Sequence, residues 1–178
     1  MIKPGTIWIT GLSGSGKTSL GASLVHALEL LGILNVELLD GDETRRRLPQ
    51  TYGYSNEDRK TVGLLVGKLA NECNRRGDVA IVCAISHVKQ TRAQIREHLC
   101  PNFMEVYLDC SPKTCANRDQ KGLYQRAHSG KYDLFPGITE PYEPSDAPHL
   151  TLNTEKTPFS ECANILFRKV TLFLGMES

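Results

Sequence analysis

The chain has 178 residues, 40% hydrophobic and 23% charged, with a formal net charge of +1 at pH 7. That size and composition suit one globular domain with a substantial core, and they give no global attraction to a nucleic-acid backbone or an anionic membrane. The stretch Met1 to Thr10 lacks the basic region and apolar length of a secretory signal, and no window approaches a membrane span, so a cytoplasmic or equivalent compartment is expected.

Thr6-Ile7-Trp8-Ile9-Thr10 reads as a buried strand. It runs into Gly11-Leu12-Ser13-Gly14-Ser15-Gly16-Lys17-Thr18, which fits the phosphate-binding pattern Gly-x-x-x-x-Gly-Lys-[Ser/Thr]. Leu20, Leu24, Ala27, Leu28 and Leu31 then recur at helical spacing. Strand, glycine-rich turn and helix N-terminus together supply the context that a bare pattern lacks. Backbone N–H groups of the turn and the helix end can surround polyphosphate oxygens, Lys17 can reach the β- and γ-phosphates, and Thr18 can ligate Mg²⁺. ATP and Mg²⁺ are therefore the expected ligands.

Val36-Glu37-Leu38-Leu39 is a second strand ending at Asp40, and Leu39-Asp40-Gly41-Asp42 sets two carboxylates at the strand end, where open α/β sheets bind ligands. Asp42 suits an acceptor hydroxyl that must be oriented or deprotonated, and Asp40 suits a metal-bound water or the positioning of its neighbour. A plainer role for Asp42 is to cap a helix from Glu43 to Leu48; both roles can coexist. Arg45, one turn on, can present a guanidinium to an anion, whereas Arg46 and Arg47 meet solvent. After the Gly53-Tyr54-Ser55 turn, Arg59 is a second candidate anion clamp and Tyr54 a surface on which a base can stack.

Leu64, Leu65, Lys68, Leu69 and Glu72 belong to a longer helix that stops at Arg75-Arg76-Gly77. Val79 to Ala84 is a continuous apolar strand suited to the centre of a sheet covered on both faces. Ile85-Ser86-His87 follows at the ligand edge. Nothing around Ser86 resembles a nucleophile elbow, so Ser86 is better suited to binding a substrate phosphate than to hydrolysis. A helix over Lys89 to His98, a strand over Met104 to Leu108, a helix opened by Ser111-Pro112, a short strand over His149 to Leu152 and a terminal helix from Thr157-Pro158 complete the chain. Along that last helix Cys162, Ile165, Leu166, Lys169, Val170 and Phe173 trace a largely apolar face. Alternating strands and helices predict a three-layer α/β/α fold with a mostly parallel sheet, in one domain over 1–178.

The segment 119–148 differs, being rich in glycine, proline and basic residues and poor in regular apolar positions. It reads as a lid that closes on bound phosphates, or else as a fixed surface excursion. The six cysteines show no CxxC pair and no interleaved histidines, as expected of reduced thiols packed in the fold; a regulatory disulfide is left open by sequence alone.

These motifs resemble those of the adenylylsulfate kinases (APS kinases). The resemblance rests on the phosphate loop, Leu39-Asp40-Gly41-Asp42 with Arg45, Gly53-Tyr54-Ser55 with Asp58-Arg59, and Ile85-Ser86. It continues through Glu105-Val106-Tyr107-Leu108, Arg118-Asp119-Gln120-Lys121-Gly122-Leu123-Tyr124 and Phe135 through Glu143. It implies ATP-dependent phosphorylation of the ribose 3′-hydroxyl of adenylylsulfate, with Lys17, Asp42 and Ser86 at the reaction centre. It further implies that Arg118 covers the ATP adenine, and that Arg45, Tyr54, Arg59, Ile85, Ser86, Lys121 and Phe135 surround the acceptor. The family commonly forms homodimers.

Departures lie on the acceptor side. Val62 stands where the family has an asparagine, His87-Val88 where it has Pro-Tyr, and Phe135-Pro136-Gly137 where it has Phe-Thr-Gly. The ATP half is intact and the acceptor half is altered. A relative acting on another nucleotide conjugate, such as cytidine diphosphoramidate, is the alternative reading.

Overall fold

A computed structural model describes residues 2–119 and 121–176; Met1 and Gln120, which belong to segments singled out in the sequence, lie outside the described residues. Five strands form one sheet: β1 (Thr6–Thr10), β2 (Val36–Asp40), β3 (Val79–Ala84), β4 (Phe103–Asp109) and β5 (Leu150–Asn153). Their order is β2-β3-β1-β4-β5 and every pair is parallel, a stricter arrangement than the mostly parallel sheet expected.

Period-two alternation divides the side chains between two cores. Ile7 and Ile9 of β1, Ile81 of β3 and Val106 of β4 point to one face, where α1 (Lys17–Leu30) and α7 (Phe159–Phe173) cover them through Leu20, Leu24, Leu28, Leu166 and Val170. Trp8, Ala80 and Val82 point to the other, where Val62, Val66 and Ala70 of α3 (Asn56–Arg75) and Ile95 of α4 (Lys89–His98) meet them. Both faces are covered, and so the central strands read as unbroken apolar runs.

Several local expectations change. Leu31 is 53% exposed and Ile165 39%, so neither belongs to the core faces assigned to them. The helix after β2 is α2 (Gly41–Arg47), and its cap is Asp40 rather than Asp42. Asp40 Oδ1 accepts from the N–H groups of Asp42 at 3.0 Å and Glu43 at 3.2 Å. The N–H donors of a first turn lack intrahelical partners, and the carboxylate one residue earlier is the one that reaches them. Helix α3 begins earlier than its apolar residues indicate, because Ser55 caps it by accepting from the Asp58 N–H at 3.1 Å.

Two short helices complete the fold, α5 (Pro112–Asn117) and α6 (Leu123–His128). The second lies inside 119–148, where little regular structure was expected. Asp119 receives the N–H groups of Leu123 at 2.9 Å and Tyr124 at 2.7 Å, fixing the helix entry. Tyr124, Ala127 and Phe135 then bury against Leu12 and Cys115, a third small core that joins this segment to the phosphate loop.

All six cysteines are free and buried, in keeping with packed reduced thiols.

Candidate active site

The loop between β1 and α1 lies where the chain order reverses, since β1 leads into α1 and thence to edge strand β2, while its own neighbours are β3 and β4. Such a switch point opens a crevice at the carboxyl ends of the strands. Glycines shape the loop: Gly14 has φ 78°, and a Cβ there would stand 2.7 Å from the Cys115 carbonyl oxygen. Gly11 and Ser15 sit behind the loop, Gly11 against the Leu108 carbonyl and Ser15 fully buried, so both shape the turn rather than line the main cavity. Loop carbonyls are turned toward protein donors. Leu12 O accepts from Lys17 Nζ at 2.6 Å, Ser13 O from Tyr124 Oη at 2.9 Å, and Ser15 O from Thr154 Oγ1 at 2.9 Å. With these carbonyls engaged by protein donors, the backbone N–H groups of such a turn suit an anion.

The crevice is a cavity of about 840 Å³. Lys17, Thr18, Asp40, Asp42, Arg45 and Lys121 all line it. Burial pushes the Lys17 ammonium down from 10.5 to about 8, partly opposed by nearby acidic groups including Asp42 and Asp40. Thr18 Oγ1 donates to Asp40 Oδ2 at 2.7 Å, so a hydroxyl and a carboxylate already converge where the loop meets β2. Hard oxygens of this kind suit Mg²⁺, which keeps most of its shell as water and phosphate. Among the described residues no cluster of three or more His, Cys, Asp or Glu could hold a metal ion. Lys121 Nζ reaches Asp42 Oδ2 at 3.0 Å, linking segment 119–148 to the acidic edge.

The part of the cavity around Tyr54 is aromatic and cationic. Arg45 and Arg59 both face the Tyr54 ring, with guanidinium carbons 4.7 and 5.3 Å from its centroid. Arg45 Nη1 donates to Gly53 O at 2.5 Å, and Arg59 donates through Nε to Tyr54 O at 2.9 Å and through Nη2 to Leu134 O at 3.3 Å. Burial, then repulsion from Arg45, lowers the Arg59 pKa, a strain that a bound anion relieves. Tyr132, which no motif in the sequence singles out, stands edge-on to Tyr54 at 6.1 Å and 5.8 Å from Phe135. Its one trace in the sequence is an aromatic in a segment poor in regular apolar positions.

Val62 is 6% exposed, packs in the α3 core and also lines this cavity. Ile85 and Ser86 are at the cavity edge, as the sequence indicates. Buried His87 completes that edge, its Nε2 3.2 Å from Asn56 Oδ1; desolvation, then Arg59, lowers its pKa, leaving the ring neutral at pH 7. Arg118 lies between the main cavity and a second one of about 450 Å³ bounded by Thr154 to Phe159, and its Nη2 donates to Thr154 O at 2.9 Å.

A phosphate loop facing a separate cationic and acidic subsite across one crevice is the arrangement of a P-loop phosphotransferase. The adenylylsulphate kinase family model matches residues 3–153, and the chain belongs to that family. It is 39% identical over 165 residues to the adenylyl-sulfate kinase of Synechococcus sp. (strain JA-3-3Ab), covering 93% of each chain. It superposes with a TM-score of 0.87 and 33% identity on the Mycobacterium tuberculosis APS kinase in complex with AMPPNP and APS, covering 94% of this chain and 98% of that one. A hexameric APS kinase from Thiobacillus denitrificans gives a TM-score of 0.71 at 26% identity, with 97% of this chain matching 29% of that chain. Among the described residues no helix is long and apolar enough to cross a membrane.

Proposed function

We propose that the chain transfers the γ-phosphoryl group of ATP to the ribose 3′-hydroxyl of adenylylsulfate, giving 3′-phosphoadenylylsulfate and ADP. The observation that carries this reading is the single crevice in which Lys17 and Thr18 face Asp42, Arg45, Arg59 and Tyr54. Its family membership and its likeness to an APS kinase that holds both a nucleotide triphosphate analogue and APS support it.

The phosphate loop and Lys17 hold the β- and γ-phosphates, and the ammonium offsets charge that develops on the transferring group. Thr18 would hold Mg²⁺ and Asp40 would orient its water, and the ion would supply neutralisation of phosphate charge. Asp42 orients the 3′-hydroxyl and accepts its proton, which requires that the Lys121 contact to Asp42 rearranges when reactants bind. Arg45 and Arg59 hold the acceptor's anionic group, Tyr54 and Phe135 flank its base, Ser86 binds its phosphate, and Arg118 covers the ATP adenine. Segment 119–148 acts as the lid of one domain, with Lys121 brought over the reactants. The protein acts in the cytoplasm as a homodimer.

Lys17→Ala and Asp42→Ala test the assignment. Each is expected to lower kcat by about 10²–10³-fold or more. A full phosphoryl-transfer rate in either folded variant would remove the assigned roles.

A further inference from the structure

Arg92 does not line the cavity, yet it is 1% exposed and joins the acceptor edge to the far end of the lid segment. Its Nε donates to Glu105 Oε1 at 2.9 Å and its Nη1 to Ser86 O at 2.5 Å. Nη2 donates to Glu143 O at 2.5 Å and to Ser145 Oγ at 3.1 Å, and the guanidinium stands 5.3 Å from the Tyr142 ring centroid. Glu105 Oε1 also accepts from Ser145 Oγ at 2.6 Å, so the buried charge pair is hydrogen-bonded beyond itself.

The carbonyl held by Nη1 belongs to an unusual residue. Ser86 has φ 43°, and it is the one non-glycine residue with positive φ among the described residues. Such a backbone persists only where its surroundings over-determine it, and it concentrates at functional sites. The neighbouring peptide is fixed as well. Thr10 Oγ1 gives its proton to Ile85 O at 2.7 Å, so Tyr142 Oη must donate in its 2.8 Å contact with Thr10 Oγ1. Glu143 adds two links, its N–H to His87 O at 2.9 Å and its Oε2 accepting from the first N–H of α4 at 2.8 Å.

We infer that Arg92 is a positioning residue for the acceptor. It clamps the Ser86 carbonyl and the Tyr142-to-Ser145 arm into one geometry, so that Ser86 meets the acceptor with its left-handed backbone already set. Glu105 balances the Arg92 charge, and Arg92 therefore works through its three-pronged fork and not as an added cation near the substrate. This rests on the proposed phosphoryl-transfer reading, in which Ser86 contacts the acceptor.

Arg92→Lys keeps the charge and loses the fork. It is expected to lower kcat/KM for adenylylsulfate at least 20-fold, mostly through acceptor KM, with AMPPNP affinity within twofold of wild type. In a Ser86→Gly background the same change should cost less than fivefold, because glycine adopts positive φ without strain. If Arg92→Lys fails to fold, the neutral pair Arg92→Gln with Glu105→Gln, which leaves no buried charge unpaired, should show the same split. An acceptor kcat/KM within twofold of wild type, an equal loss of AMPPNP affinity, or an undiminished effect in the Ser86→Gly background would overturn the inference. Should wild type not turn over adenylylsulfate, the functional reading falls alone. Arg92 is then judged by amide exchange at Ser86 and His87, expected to be at least tenfold faster in Arg92→Lys; unchanged exchange rejects the clamp.

Discussion

Substituting Val62 by asparagine probes what distinguishes this acceptor side from the family pattern. Val62 is 6% exposed, with one side in the core among Trp8, Leu39 and Val66 and the other at the cavity. Losing its apolar burial costs about 1.5 kcal/mol. An amide that finds no partner there costs about 1–3 kcal/mol more. An amide turned into the cavity and bonded to the acceptor instead returns about 0.5–1.5 kcal/mol, a two- to twelvefold gain in acceptor affinity. The account thus expects Val62→Asn to lower the melting temperature, leave AMPPNP affinity nearly constant, and change the ratio of kcat/KM values between adenylylsulfate and other nucleotide conjugates. With adenylylsulfate as natural acceptor, its use should hold or improve; with an acceptor that packs on the valine, that acceptor should weaken. Steady-state kinetics on several acceptors, together with calorimetry and thermal melts, separate these effects. A purely thermal change, with unchanged acceptor ratios in folded enzyme, would refute a role for Val62 in specificity.

Other consequences follow from groups with one dominant physical cause. Because Lys17 is held near pKa 8 rather than 10.5, affinity for ATP in the ligand-free protein should begin to fall as pH passes about 8, approaching about tenfold per unit, and Lys17→Met should abolish the bend; a flat profile from pH 7 to 9.5 would contradict it. The same shift costs the ligand-free protein stability below about pH 8, and stability should rise with pH from about 8 to 10.5, where the unfolded lysine keeps a proton that the folded one has lost. Gly14→Ala forces a Cβ to within 2.7 Å of the Cys115 carbonyl at φ 78°, and should cost about 1–3 kcal/mol of stability and most ATP affinity, read by denaturant melts and calorimetry. Lys121→Ala breaks a pair whose side chains are 68% and 58% exposed, so stability should move by less than about 1 kcal/mol while turnover drops at least tenfold; an unaltered kcat would remove Lys121 from the reaction. Burial raises the Cys83 and Cys115 thiols to about 12, so a thiol reagent should label the native protein slowly and the unfolded protein at once.

Much of the fold is legible where the local signal and the tertiary outcome agree. The β3 run from Val79 to Ala84 and the helix from Lys89 to His98 match the structure residue for residue, since one is apolar throughout and the other is flanked by clear breaks. The phosphate loop is likewise legible, because glycines and a lysine at fixed offsets carry both the turn and the chemistry. Helix α6 is hidden because it is short and buries only Tyr124 and Ala127, too few positions to establish a period. The cap fell to the wrong aspartate because Asp40 and Asp42 flank one glycine and composition does not tell them apart. The partnership of Arg92 with Glu105 is non-local, joining α4 to β4 through the core. Its one trace in the sequence is a glutamate interrupting the apolar run Phe103-Met104-Glu105-Val106, and a charge inside a central strand demands a partner. Tyr132 gave no comparable sign.

The most direct test of the central claim is to incubate the purified protein with Mg-ATP and a panel of nucleotide conjugates that includes adenylylsulfate and cytidine diphosphoramidate, and to locate any transferred phosphate by phosphorus NMR. Efficient phosphorylation of adenylylsulfate at the ribose 3′ position, with stoichiometric ADP and abolished by Lys17→Ala, is the predicted result. Turnover confined to a cytidine or other conjugate, or phosphate delivered to a position other than 3′, would contradict it.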